Sequence, residues 1–334
     1  MTTAAVLGAG SWGTTLAIHL GRIGHDVRLW ARDAALVDAM CESRSNPVYL
    51  PDVPFPASLR PTASMEQALR DVSFVVAAVP SHGTRSVIAA AAPRVPAGAV
   101  LISATKGLET ESLLRMSEVM RQELGPAQPI AVLSGPSFAA EVARQLPTAV
   151  CVASESREAA EFVQHEFRAR YFRLYVTDDV VGVEIGGALK NVIAIAAGVN
   201  EALALGHDAL AALITRGLAE MSRLAGALGG RRETLSGLSG LGDLVLTCTG
   251  ALSRNRRVGY ELGSGKRLAD VLAGMKMVAE GVRTTDTALA LGSAHGVELP
   301  IAVQMSDVLA GRKQPREAVE ELMLRPQRDE SDVR

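Results

Sequence analysis

Short apolar runs punctuate the first half of the chain, and small, polar or charged residues close each of them. Ala4–Leu7, Val27–Trp30, Phe74–Val79, Val100–Ile102 and Ile130–Leu133 are compact and rich in β-branched side chains. Runs without polar alternation suit strands buried on both faces, as in a parallel sheet. Thr148–Ala153 and Phe172–Val176 predict further strands that close the sheet, while Thr14–Gly21 and Thr110–Leu124 carry helical spacing. Strand and helix in alternation predict a Rossmann-type α/β fold with a doubly wound parallel sheet.

Beyond Asp178 the period changes. Val180–Val199 is rich in Ala and Gly and nearly apolar, with Asp178 or Asp179 placed to cap it. From Leu210 to Leu228 apolar residues recur at i, i+3 and i+4, a broad stripe that faces a core. An all-helical C-terminal domain is therefore expected. The predicted organisation is a dinucleotide-binding domain over 1–178, a helical substrate domain over 179–324 and a frayed polar tail over 325–334.

Composition narrows the class. A chain of 334 residues has room for two domains. Aromatics are only 4%, so Ala, Val, Leu and Ile must pack the core, with 31 glycines permitting close contacts. A net charge of −2 without any long run of like charge gives no footprint for nucleic acid. Cys41, Cys151 and Cys248 are far apart in sequence, which predicts reduced thiols in the cytoplasm. The histidines show no metal-ligand spacing, so no metal is expected. Met1–Gly13 lacks the pattern of a secretory signal, and the apolar stretches read as too short to span a membrane.

Gly8-Ala9-Gly10-Ser11-Trp12-Gly13 is a complete GxGxxG between a predicted strand and a predicted helix. Gly8 permits the tight turn, Gly10 lets a pyrophosphate approach the backbone, and Gly13 lets helix and strand pack closely. The helix N-terminus adds N–H donors and partial positive charge. At the end of the second strand, Arg32 is placed to meet a 2′-phosphate and Asp33 a ribose hydroxyl. NAD and NADP both stay open, and the pair equally fits a solvated loop.

Reducing a ketone also needs a proton donor with a pKa near the working pH. Lys190 lies in Gly186-Gly187-Ala188-Leu189-Lys190-Asn191, where burying an ammonium is costly without a purpose. It also fits a surface lysine that snorkels from its helix. Two loops follow predicted strands: Ser103-Ala104-Thr105-Lys106-Gly107 and Ser134-Gly135-Pro136-Ser137-Phe138-Ala139. The first offers a cation and the second offers small polar donors, though each also fits an ordinary strand-to-helix turn. In the helical half, a glycine-rich turn ends at Asp243, and Ser253-Arg254-Asn255-Arg256-Arg257 follows. Arginines beside short polar side chains suit a phosphate, and equally a solvated helix start.

Together these residues resemble the bacterial NAD(P)-dependent glycerol-3-phosphate dehydrogenase family, to about residue 320. The likeness is carried by GAGSWGTTLA at 8–17, SATKGLE at 103–109, LSGPSFAAEV at 133–142, GGALKNVIAIAAG at 186–198 and GLSGLGDLVLTCTGALSRNRR at 237–257. The resemblance implies that Lys190 is the catalytic acid/base. It implies that Ser11, Trp12 and Arg32 hold the cofactor, NAD or NADP, and that Lys106 touches cofactor and substrate. Gly135, Ser137, Asp243, Ser253, Arg254 and Asn255 then line the substrate site. Ala139, Arg254, Val278 and Glu280 match further cofactor contacts. The implied substrates are dihydroxyacetone phosphate and sn-glycerol 3-phosphate, the latter for phospholipid synthesis.

Asp208 departs from the family pattern, which carries Asn there, and adds a negative charge near a phosphorylated substrate. Two alternatives stand beside this reading. One is a β-hydroxyacid or 6-phosphogluconate-type dehydrogenase, which binds a carboxylate and lacks the SRNRR segment. The other is a non-catalytic nicotinamide-binding scaffold, which would have lost the lysine. A homodimer is compatible with so apolar a helical half.

Overall fold

The computed structural model describes residues 2–275, 278–327 and 329. Of the tail expected over 325–334, residues 328 and 330–334 lie outside them. The chain forms two compact units, Met1–Thr105 with Met116–Val180, and Lys106–Arg115 with Val181–Arg334.

The first unit is built on eight strands: β1 Thr3–Leu7, β2 Asp26–Trp30, β3 Leu59–Thr62, β4 Phe74–Ala77, β5 Val100–Ser103, β6 Ile130–Ser134, β7 Thr148–Ala153 and β8 Phe172–Thr177. Their order in the sheet is β3-β2-β1-β4-β5-β6-β7-β8. All neighbours run parallel except β6 and β7, which are antiparallel. The order reverses between β1 and β4, and crevices at the carboxyl ends of such strands are where these sheets bind ligands. β3 left no strand signal in the sequence, since Leu59-Arg60-Pro61-Thr62 buries one apolar residue and contains a proline. An edge strand tolerates both.

Helices α1 Ser11–Arg22, α2 Ala34–Ser43, α3 Met65–Leu69, α4 Ser81–Ala91, α5 Met116–Leu124, α6 Ala139–Ala143 and α7 Arg157–Phe167 cover the sheet. One face packs Val6, Leu16, Leu29, Phe74 and Phe167, and the other Leu7, Val75, Leu101 and Met120. The helix expected over Thr110–Leu124 begins instead at Met116. The residues before it form a turn closed by pairing of Leu108 with Arg115, with Leu113 in the left-handed region at φ 61°.

Inside this unit His19 is buried. Its Nε2–H donates to the Phe167 carbonyl at 2.7 Å, so Nδ1 accepts from the Tyr171 hydroxyl at 2.8 Å. That tautomer is neutral. Burial, set against the Phe167 hydrogen bond, lowers its pKa from 6.5 to about 4. A depressed folded pKa means stability is present above the unfolded value and lost as the pH falls toward the folded one. Between pH 6.5 and pH 4, wild type is expected to lose up to about 3 kcal/mol from this group. In urea titrations at pH 7 and pH 4, a His19→Gln protein should lack that part of the drop. An identical acid slope in both proteins would overturn the assignment.

The second unit is helical: α8 Val180–Ala202, α9 Gly206–Ala227, α10 Arg232–Leu235, a π-helical turn at Leu238–Gly242, then α11 Asp243–Thr249, α12 Arg254–Gly263, α13 Leu268–Ala273, α14 Glu280–Ala294, α15 Pro300–Leu309 and α16 Pro315–Met323. α8 is longer than its sequence pattern suggested. Its 23 residues are long and apolar enough to cross a membrane, yet 94% of its most apolar window is buried. Ile185, Leu189, Val192 and Ile193 meet Met221, Leu224, Leu235 and Leu244 in the core of this unit.

Candidate active site

In the first unit the glycine-rich turn has the shape its sequence demands. Gly8 sits at φ 111°, and a Cβ there would stand 2.6 Å from the Ala78 carbonyl oxygen. A Cβ on Gly13 would lie 1.9 Å from the Gly8 oxygen, so only hydrogen fits where helix meets strand. Around Gly10, by contrast, an added Cβ meets nothing within 4 Å. No side chain caps the N-terminus of α1. Open space beside backbone donors at a helix start fits a dinucleotide pyrophosphate. The Trp12 indole N–H is buried and unpartnered there, a donor that a polar ligand edge could satisfy.

Asn46, which no sequence signal marked, holds this turn from beneath. Its buried amide donates to the Ala9 carbonyl at 2.9 Å and to the Thr14 hydroxyl at 2.8 Å. Ser11 donates to the Tyr49 carbonyl at 3.0 Å. Arg32 is exposed after β2. Asp33 serves as the cap of α2, accepting from the N–H groups of Ala35 and Leu36, which leaves Arg32 the more available of the pair. After β6, Gly135 takes φ 129° and the Ser137 hydroxyl donates to its carbonyl at 2.9 Å. Ala139 opens α6.

The second unit gathers the charged groups. Lys190 is only 6% exposed, on α8. Its Nζ donates to Asp243 Oδ1 at 2.5 Å and to Thr247 Oγ1 at 3.1 Å. Asp243, 1% exposed, accepts from Lys106 Nζ through its other oxygen at 2.7 Å. One carboxylate thus bridges two ammonium groups. Glycines make the approach possible: a Cβ on Gly240 would lie 1.9 Å from the Leu235 oxygen, and one on Gly186 would lie 2.6 Å from the Ser239 oxygen. The π-helical turn can therefore press on α8 and deliver Asp243. Such turns recur at functional sites.

Burial lowers the Lys190 pKa to about 7; the Asp243 charge opposes the shift and the Lys106 charge reinforces it. An amine in that range exchanges protons readily near neutral pH. Burial pushes the Cys248 thiol up to about 12, so it stays protonated beside this cluster. Thr247, missed in the sequence, stands four residues after Asp243. That i,i+4 spacing puts both on one face of α11.

At the start of α12, the Ser253 hydroxyl accepts from the Arg256 N–H at 3.2 Å, which keeps its own proton available for a ligand. Arg256 pairs with Glu201 at 2.7 Å, and Arg257 lies beside Glu261. Arg254 is exposed at the first helical position, with the charge of Glu280 nearby. Asn255 faces inward: its amide donates to Asn191 Oδ1 at 2.8 Å and its oxygen accepts from the Gly281 N–H at 3.0 Å. It thereby ties α12 to α8 and to the start of α14, where Glu280 is the first residue, preceded by Val278. Asp208 is exposed in the first turn of α9.

Comparison with known proteins agrees over both units. Residues 3–160 match the family model for the NAD-dependent glycerol-3-phosphate dehydrogenase N-terminus, and residues 179–320 match the model for its C-terminus. The chain is 55% identical over 269 residues to the glycerol-3-phosphate dehydrogenase (NAD(P)+) of Thioalkalivibrio sulfidiphilus, covering 80% of this chain and 81% of the relative. It is 51% identical over 276 residues to that of Koribacter versatilis, covering 82% of each. A crystal structure of glycerol-3-phosphate dehydrogenase from Coxiella burnetii superposes with a TM-score of 0.94 at 43% identity, over 97% of this chain and 99% of that one.

Proposed function

This chain belongs to the NAD-dependent glycerol-3-phosphate dehydrogenase family and is an NAD(P)-dependent oxidoreductase, and on that premise we propose that it interconverts dihydroxyacetone phosphate and sn-glycerol 3-phosphate with Lys190 as general acid and base. Membership sets aside the hydroxyacid dehydrogenase and scaffold alternatives. The observation that carries the role of Lys190 is its burial against Asp243, which is shared with Lys106.

The bound nicotinamide supplies or accepts the hydride. Gly8, Gly10 and Gly13 would shape its pyrophosphate cradle, with Ser11, Trp12, Arg32 and Ala139 as contacts in the first unit. In the reductive direction the Lys190 ammonium donates its proton to the carbonyl oxygen as the central carbon is reduced. Charge building on that oxygen is stabilised most in the transition state, where a fixed cation acts without reorganising. Lys106 adds a second positive charge to this side, and Asp243 keeps both amines oriented. In the oxidative direction neutral Lys190 takes the hydroxyl proton.

Arg254, with Ser253 and the N-terminus of α12, holds the phosphate, since a helix start and a guanidinium both favour an anion. Asn255 supports that start from within. Arg254→Ala should raise KM for dihydroxyacetone phosphate about 100-fold with a smaller fall in kcat, because losing a charged hydrogen bond costs about 1.5–3 kcal/mol. Initial rates of NADH and NADPH oxidation test this directly. Equal damage with an unphosphorylated ketone would argue against a phosphate clamp. Glycerol 3-phosphate formed this way serves glycerophospholipid synthesis in the cytoplasm, a compartment that suits Cys41, Cys151 and Cys248 as thiols.

A further inference from the structure

Lys106 meets a partner 137 residues away in sequence, and the segment carrying it must be held for that meeting to persist. Lys106–Arg115 folds back on itself. The Glu109 N–H donates to the Leu114 carbonyl and the Leu113 N–H to the Glu109 carbonyl, both at 2.9 Å, and Leu108 pairs with Arg115 across the turn. Leu108 is buried in the core of the helical unit, and the Thr287 hydroxyl donates to that of Thr110 at 3.4 Å.

A further tie is ionic. Arg115 Nη1 donates to Glu184 Oε2 at 2.7 Å. Glu184 lies on α8, only 5% exposed, six positions before Lys190 and within the apolar stretch 180–189. Buried ions are expensive to desolvate, and replacing such a pair by apolar residues of similar volume is often neutral or stabilising. Stability is therefore a weak reason for these charges at this point. What an ion pair adds is directional geometry.

We propose that the Arg115–Glu184 pair is a positioning device for the reaction, registering the 106–115 segment on α8 so that the Lys106 ammonium meets Asp243 beside Lys190. Arg115 stands opposite Leu108, two residues from Lys106, so displacing one end of the turn displaces the other. Both residues act through Lys106. This role rests on Lys190 being the acid proposed above. The groups facing Lys190 are Asp243, Thr247 and Cys248 of α11 and Lys106 of the segment, and the Lys106 charge makes Lys190 more acidic.

The test is a double-mutant cycle on the full-length enzyme, read from the pH dependence of reductive turnover. Glu184→Gln should lower kcat/KM by about 100-fold, the scale of a 1 Å misplacement. It should also raise KM for dihydroxyacetone phosphate and move the alkaline fall in rate to higher pH. In a Lys106→Ala background the same substitution should add almost nothing. Independent, additive losses would overturn the proposal, as would an unmoved pH profile in the single variant. Should Glu184→Gln fail to fold, Arg115→Lys, which keeps the charge and loses the planar fork, enters the same cycle with the same two outcomes. A wild-type rate without any alkaline fall would remove Lys190 as the acid, and the proposal with it. A wild-type fall that Glu184→Gln leaves in place removes the positioning role alone.

Discussion

Lys190→Ala is expected to lower kcat by about 10³- to 10⁴-fold, the combined scale of a lost general acid and a lost charge stabiliser. Cofactor affinity should survive, because the glycine cradle lies in the first unit and owes nothing to this amine. The wild-type pH profile should carry the signature of the group. Lys190 is brought to about 7, and reduction needs the ammonium, so reductive turnover falls as the pH rises through that value. Oxidation needs the neutral amine and rises over the same interval. Initial rates in both directions from pH 5.5 to pH 9, with nicotinamide binding followed by fluorescence, separate chemistry from binding. Substantial turnover in Lys190→Ala would sink the assignment, and so would parallel pH profiles in the two directions.

Asp243→Asn should lower kcat/KM about 100-fold at pH 7, because the pair of amines loses the group that orients it. The direction of the pH effect follows from charge. Asp243 raises the pKa of Lys190 against the burial that lowers it. Without that carboxylate the amine becomes more acidic, the ammonium is depopulated at neutral pH, and the reductive limb moves to lower pH. Partial recovery of reduction in mildly acidic buffer is the distinguishing result. Asn keeps the shape and the hydrogen-bonding oxygen, so a variant that retained the wild-type midpoint would show that Asp243 acts by packing and not by charge. Thermal melting of the same protein checks that the fold persists, since breaking a buried pair can cost about 3–5 kcal/mol.

These two effects meet in a cluster that was half legible beforehand. The period of apolar positions marked β1, β2, β4, β5 and β6, and the glycine spacing at 8–13 marked the dinucleotide turn. Both signals are local: a strand buried on two faces is largely apolar, and a tight turn against a helix must lack side chains. Lys190 was visible for the same reason, as a charge interrupting an apolar stretch. β3 was not, because an edge strand that includes Pro61 is free of the demands that shape a buried one. The start of α5 was misjudged because residues 110–115 have helical spacing, yet Leu108 and Arg115 are committed to the helical unit.

Residues and their spacing by themselves determined the alternation of strand and helix, the switch to helices after Asp178, the phosphate-binding turn and a lysine in an apolar helix. Each follows from rules acting over a few neighbouring positions. Only the tertiary structure decided which charges share Asp243, that Asn255 turns inward to Asn191, and that Lys106–Arg115 joins the second unit. Those pairings span up to 137 residues, and nothing in the local pattern encodes them. They arise when glycine-lined backbones close to contact and buried charges must find partners.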